Sequence, residues 1–155
     1  MSIDYSPEAV ILIGIPASGK SEFYKQNFSD THVRINLDML KTRNRERILF
    51  DACIATKQSL VVDNTNPLQI DRARYIKKAK DAGFCVIGYY FRSSVADSAR
   101  RNNLRKGKAN IPTKAIAAIM NKMEIPSICE GFDKLYYVSI DENDEFVVED
   151  YLDEV

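Results

Sequence analysis

The apolar run AVILI at residues 9–13 is followed at once by GIPASGKS at residues 14–21, and this pair constrains the chain more than any other stretch. Five consecutive apolar residues read as a strand buried on both faces. Gly14, Gly19, Lys20 and Ser21 fit G-x-x-x-x-G-K-[ST], and the residues from Lys20 to about Gln26 read as a helix. Glycines let the backbone curl so that successive N–H groups point inward as an anion nest, and the following helix adds its positive end. Gly14, Ile15, Pro16, Ala17, Ser18, Gly19, Lys20, Ser21 and Glu22 are therefore the candidate nucleotide-binding residues, with ATP as the expected nucleotide. Lys20 would reach the β and γ phosphates, and the Ser21 hydroxyl would help hold Mg²⁺. Glycines that served only a strand-to-helix turn would not require Lys-Ser directly after them.

Further apolar runs recur at residues 59–63, 84–91 and 134–140, with a weaker one at 33–37. Between them, helical patterns cover roughly Met39–Lys57, Gln69–Ala82, Val95–Arg105 and Thr113–Met123. Alternating strands and helices predict an α/β fold: one three-layer domain with a parallel central sheet covered by helices on both faces. The domain is expected over residues 1–140, with the lid at about 100–112, and residues 141–155 are expected as an acidic C-terminal strand or tail. Ligands of such sheets bind beyond the carboxyl ends of the strands, so the residues that end each run are where chemistry is to be sought.

Composition narrows the class. The chain of 155 residues is 45% apolar and 28% charged, as expected of a globular domain. No run approaches the roughly 18 apolar residues of a membrane span, and no basic leader precedes the first apolar run, so a cytoplasmic protein without a membrane partner is expected. Cys53, Cys85 and Cys129 are scattered, which suggests neither a disulfide framework nor a zinc site. Residues 141–155 carry eight acids and no Lys or Arg, which leaves 22 basic against 14 acidic side chains in residues 1–140. That excess suits a phosphate-rich partner, although an acidic tail that merely aids solubility would produce it too.

Asp63 ends the run SLVVD at the ligand edge, where a carboxylate would bind Mg²⁺ or orient Ser21; a turn or cap role before Pro67 is the alternative. Asn64, Thr65 and Asn66 add neutral hydrogen-bonding groups fit for a sugar or phosphate. Asp38 ends the second run at the same edge, positioned either as general base for an attacking hydroxyl or as the N-cap of the next helix. Arg100, Arg101, Arg105, Lys106 and Lys108 cluster around a Gly-containing loop, read either as a lid that closes over phosphates or as a solvated basic helix end.

With these parts in place, the chain resembles the kinase module of the 5′-hydroxyl polynucleotide kinases, a branch of the small phosphate-loop kinases. The resemblance runs through GIPASGKS, INLD, VVDNTNPLQIDRARYIKKAKDAG, ARRNNLRKG with the following IP, and CEGFDKLYYV, which span residues 10 to 138. It implies transfer of the ATP γ phosphate to the 5′-hydroxyl of a nucleic acid, with Asp38 as general base, Lys20 and Ser21 on the triphosphate and metal, and Asp63 as the acid of the DNTN element. It further implies Arg101 and Arg105 as catalytic lid arginines. Lys41 falls where relatives carry an arginine for the acceptor's phosphate, and together with Asn64 and Asn66 completes the expected acceptor-binding set. Arg34, Arg43, Arg45 and Arg47 are further candidates for the acceptor side.

Leu37 stands where the family's N-R-D motif has arginine, which weakens the case for a polynucleotide acceptor in particular, and Glu22 replaces the usual Ser or Thr. Any phosphatase or ligase partner activity is expected on separate chains. A kinase of a small hydroxylated acceptor (a nucleoside, sugar or nucleotide sugar, as in zeta-toxin-like enzymes) is the second reading, and a nucleotide-binding regulatory domain the third.

Overall fold

The computed structural model describes residues 6–92, 94–103 and 111–151. Six strands form one sheet: β1 (Glu8–Ile13), β2 (Val33–Ile35), β3 (Leu60–Asp63), β4 (Cys85–Phe91), β5 (Lys134–Ile140) and β6 (Phe146–Asp150), in the order β2-β3-β1-β4-β5-β6. The first five are parallel, and β6 pairs antiparallel with β5 through Val138 and Val148 at its centre. FVVED is thus an edge strand of the sheet.

Because strand side chains alternate, β1 feeds two cores at once. Ala9, Ile11 and Ile13 pack on one face with Phe50, Tyr75, Ile76 and Ala79, whereas Val10 and Leu12 pack on the other with Phe23 and Phe91. The helices that supply these partners are α1 (Lys20–Asn27) on the second face and α3 (Arg43–Thr56) and α4 (Gln69–Asp81) on the first. Burial of β1 on both faces accounts for its unbroken apolar run, since every side chain from Ala9 to Ile13 is fully covered.

The helix expected over Met39–Lys57 is two helices. A single turn, α2 (Leu37–Leu40), ends at Lys41, whose φ of 76° cannot continue a helix. Thr42 then caps α3, its hydroxyl accepting from the Arg45 N–H at 3.1 Å. No glycine marks the break, so periodicity ran straight through it. The second run likewise ends early as a strand: β2 stops at Ile35, and Leu37 already opens α2.

Two more helices, α5 (Val95–Asn103) and α6 (Thr113–Lys122), pack on each other. Asn102, nearly fully buried, joins them by accepting from the Ile111 N–H at 2.8 Å and donating to the Ile111 carbonyl. No helix among the described residues is long and apolar enough to cross a membrane.

Candidate active site

The carboxyl ends of β1, β2 and β3 open onto one cleft of about 500 Å³. Gly14 begins the loop after β1 because nothing larger fits: a Cβ there would lie 2.9 Å from the Phe91 Cβ and from the Ser18 Oγ. Gly19 ends the loop at φ 103°, a left-handed conformation that glycine adopts without strain, and it is the N-cap of α1. Its backbone also passes close beneath the β6 ring of Phe146. Ile15 and Ser18 lie buried under the loop, while Pro16, Ala17, Gly19, Lys20, Ser21 and Glu22 face the cleft.

Lys20, 8% exposed, is turned back on its own loop, donating to the carbonyls of Gly14 at 2.9 Å and Ile15 at 2.7 Å. These bonds hold the ammonium at the loop's centre, where the carbonyls offset its desolvation. Ser21, at the start of α1, donates to Asp63 Oδ2 at 3.0 Å. Asp63 is 2% exposed at the end of β3, so the two oxygen donors expected to share a metal lie side by side.

A third group joins them. Arg34 donates through Nε to Asp63 Oδ2 at 2.8 Å and through an Nη to Ser21 Oγ at 3.1 Å. Arg34 was expected on the acceptor side; the alternation of β2 instead turns it away from the face of Ile35 and toward α1. Strand periodicity contained this signal, but only the sheet order β2-β3-β1 brings Arg34 beside Asp63.

The DNTN element frames the cleft. The Gly14 N–H donates to the Thr65 carbonyl at 3.1 Å, and Asn66, at φ 46°, donates to the Leu12 carbonyl at 2.8 Å. Asn64 accepts from the Leu37 N–H at 2.9 Å and donates to Glu46 at 3.0 Å. The side-chain amides of Asn64 and Asn66 thus brace the strand ends while both residues line the cleft. Buried Glu46 also receives Tyr75 at 2.6 Å and Arg43 at 3.0 Å, and burial followed by the Glu46 hydrogen bond pushes the Tyr75 phenol well up. Behind this layer, fully buried Arg72 makes two bonds to Glu130, at 2.7 and 3.0 Å, and holds the Asn66 carbonyl at 3.0 Å.

Asp38 is different. The cap of α2 is Asn36, whose side chain accepts from the Met39 N–H at 2.9 Å and donates to the Asp63 carbonyl at 2.6 Å. Asp38 therefore has no capping duty; its side chain is exposed in the cleft lining without a hydrogen-bond or ion-pair partner among the described residues. Its neighbour Leu37 also lines the cleft. Arg101, on α5, lines the same cleft, and Arg105 with the rest of residues 104–110 lies outside the described residues. Lys41 is exposed at the α2–α3 break and is not part of the cleft lining, whereas Arg43 is.

No family model matches the chain. It is similar to the bifunctional polynucleotide phosphatase/kinase of Schizosaccharomyces pombe, at 29% identity over 130 residues covering 81% of this chain and 32% of that protein. A protein of Acanthamoeba polyphaga mimivirus to which the same two activities are ascribed is 30% identical over 139 residues, covering 85% of this chain and 33% of that one. The chain thus spans about a third of the length of these curated relatives. Among solved structures, a gluconokinase from Sinorhizobium meliloti 1021 superposes with a TM-score of 0.60 at 17% identity, over 86% of this chain and 82% of that one. Chaetomium thermophilum Kti12 in complex with ADP-AlF3 gives 0.64 at 14% identity, over 88% and 92%. The fold is that of the small phosphate-loop kinases, and the sequence is related to the polynucleotide phosphatase/kinases.

Proposed function

We propose that the chain is an ATP-dependent kinase that phosphorylates the 5′-hydroxyl of a nucleic acid, with Asp38 as its general base. The observation that carries this reading is the contrast within one cleft: Asp63, Asn64 and Asn66 are committed to the frame, and the Asp38 carboxylate has no hydrogen-bond or ion-pair partner among the described residues. A base must have an oxygen available to the proton it takes.

In the proposed step, the acceptor oxygen bonds to the γ phosphorus as the bond from that phosphorus to the β–γ bridging oxygen breaks. ADP leaves with the bonding pair, and the hydroxyl proton passes to Asp38. Lys20 exchanges its loop carbonyls for phosphate oxygens, and Arg101 on α5 stabilises charge on the transferred group. Ser21 and Asp63 fit Mg²⁺, since a hard cation takes hydroxyl and carboxylate oxygens and these two are already adjacent. That ion would supply charge neutralisation on the phosphates. Asn36 acts on Asp38 through α2, fixing the turn that carries it. Arg43 on the cleft wall is better placed than Lys41 to meet an acceptor phosphate.

Kinship with polynucleotide phosphatase/kinases over most of this chain supports the nucleic-acid acceptor. One feature favours a small hydroxylated acceptor instead: the apolar Leu37 lines the cleft where the resembled family carries an arginine. Transfer from γ-labelled ATP with Mg²⁺ to a 5′-hydroxyl oligonucleotide, beside mononucleosides and sugars, separates the two. Label on the oligonucleotide that disappears in Asp38→Asn supports the proposal; label on small acceptors alone replaces it with the second reading.

A further inference from the structure

Asp63 and Ser21, the pair read above as metal-holding, already carry a cation of their own. Arg34 spans both, with Nε 2.8 Å from Asp63 Oδ2 and an Nη 3.1 Å from Ser21 Oγ. Ser21 donates to the same carboxylate oxygen, so Arg34 and Ser21 converge on Oδ2 and Arg34 also takes one lone pair of the Ser21 hydroxyl. Asp63 is 2% exposed, and Arg34 is its ion-pair partner.

We infer that Arg34 is a resident cation that closes the Ser21–Asp63 pair to free divalent metal, so that metal enters only when a nucleotide brings it. The inference rests on the reading of Ser21 and Asp63 as that pair. A free divalent cation would have to shed water for a carboxylate whose charge is already paired and a hydroxyl already engaged by an arginine, against a positive neighbour. A cation carried by a polyphosphate arrives with its own oxygen ligands and with negative charge, which also gives the guanidinium a new partner. Arg34 is able to make that exchange because its side chain is 27% exposed, unlike the carboxylate it covers. The fork is specific to arginine: a lysine at this position would offer one point charge in place of two directed donors.

Mn²⁺ titrated into nucleotide-free protein, with free Mn²⁺ read by electron paramagnetic resonance, tests this. Arg34→Met is expected to show one saturable site at least roughly tenfold tighter than any in the wild type, the effect of removing one charged hydrogen-bonding competitor. The site should vanish in Arg34→Met/Asp63→Asn, and Mg²⁺ should raise the melting temperature of Arg34→Met but not of the wild type. Arg34→Gln serves the same comparison if the methionine variant does not fold. Equal Mn²⁺ affinity in wild type and variant, no saturable site in the variant, or tight free Mn²⁺ binding by the wild type would each overturn the inference. Adding a non-hydrolysable ATP analogue tests the premise separately: the wild type should then bind one Mn²⁺. If Asp63→Asn leaves that binding unchanged, the metal-pair reading itself has failed, and the inference with it.

Discussion

Asp63 ends β3 and Asp38 lies in the single turn α2 that follows the neighbouring strand β2, and both line one cleft, yet they live in opposite conditions. Asp63 is buried and bonded by Ser21 and Arg34, and its backbone carbonyl is held by Asn36. Asp38 is exposed one helical turn away, with its expected capping work done by Asn36. The difference teaches that the cleft has a held side and an available side. On the held side, polar groups are satisfied because burial leaves them no alternative. On the available side, one carboxylate stays in reach of solvent and substrate because another residue caps the turn.

The largest break in this comparison is Asp38→Asn. Oligonucleotide phosphorylation should fall about 10²–10⁴-fold, while the unfolding free energy stays within about 0.5 kcal/mol of wild type. A variant that retained wild-type turnover would remove Asp38 from the chemistry. Asp63→Ala should do the reverse in stability, costing about 1–3 kcal/mol in chemical denaturation because Arg34 and Ser21 lose their shared acceptor. An unchanged denaturation midpoint would contradict the held side. Asn36→Ala lies between the two. It should cost about 1 kcal/mol for the cap and lower kcat while leaving the ATP dissociation constant near wild type, measured by titration and steady-state kinetics.

The smallest expected effect lies outside the cleft and sharpens the contrast as a control. Burial alone would raise the Asp133 carboxyl, but the Lys80 and Val86 hydrogen bonds outweigh it and hold the group below its ordinary value. A depressed carboxyl contributes stability that is present above its unfolded value, near pH 4, and lost as pH falls through its folded value. Asp133→Asn should therefore narrow the stability difference from wild type below about pH 4, by under about 1 kcal/mol given its exposure, with kinase activity untouched. Acid denaturation curves that stay parallel would show that the carboxyl does not titrate differently on folding.

Much of this was legible in the chain itself. The phosphate loop needs no tertiary partner to be read, because glycine tolerance, the anion nest and the helix end all arise within residues 14–21. The apolar runs announced the five parallel strands, most plainly at residues 9–13 of β1 and 60–62 of β3, where burial on both faces leaves every side chain apolar. Local chemistry was less legible where two readings shared one residue. The cap reading of Asp38 stood until Asn36 was seen to fill the cap, and the positive-φ turn at Lys41 had no glycine to mark it.

Contacts between segments far apart in sequence belonged to the tertiary structure alone. Arg34 lies 29 residues from Asp63, and Asn64 lies 27 from Leu37; nothing in local periodicity relates them. The strand order brings β2 beside β3, and that adjacency decides which polar group answers which buried charge. The sequence by itself determined the glycine loop and helix start at the end of β1, because residues 14–21 are one continuous stretch. Only the folded sheet decided that Arg34 guards the Ser21–Asp63 pair and that Asp38 stands open, because hydrogen-bond satisfaction of buried groups is settled by neighbours in space.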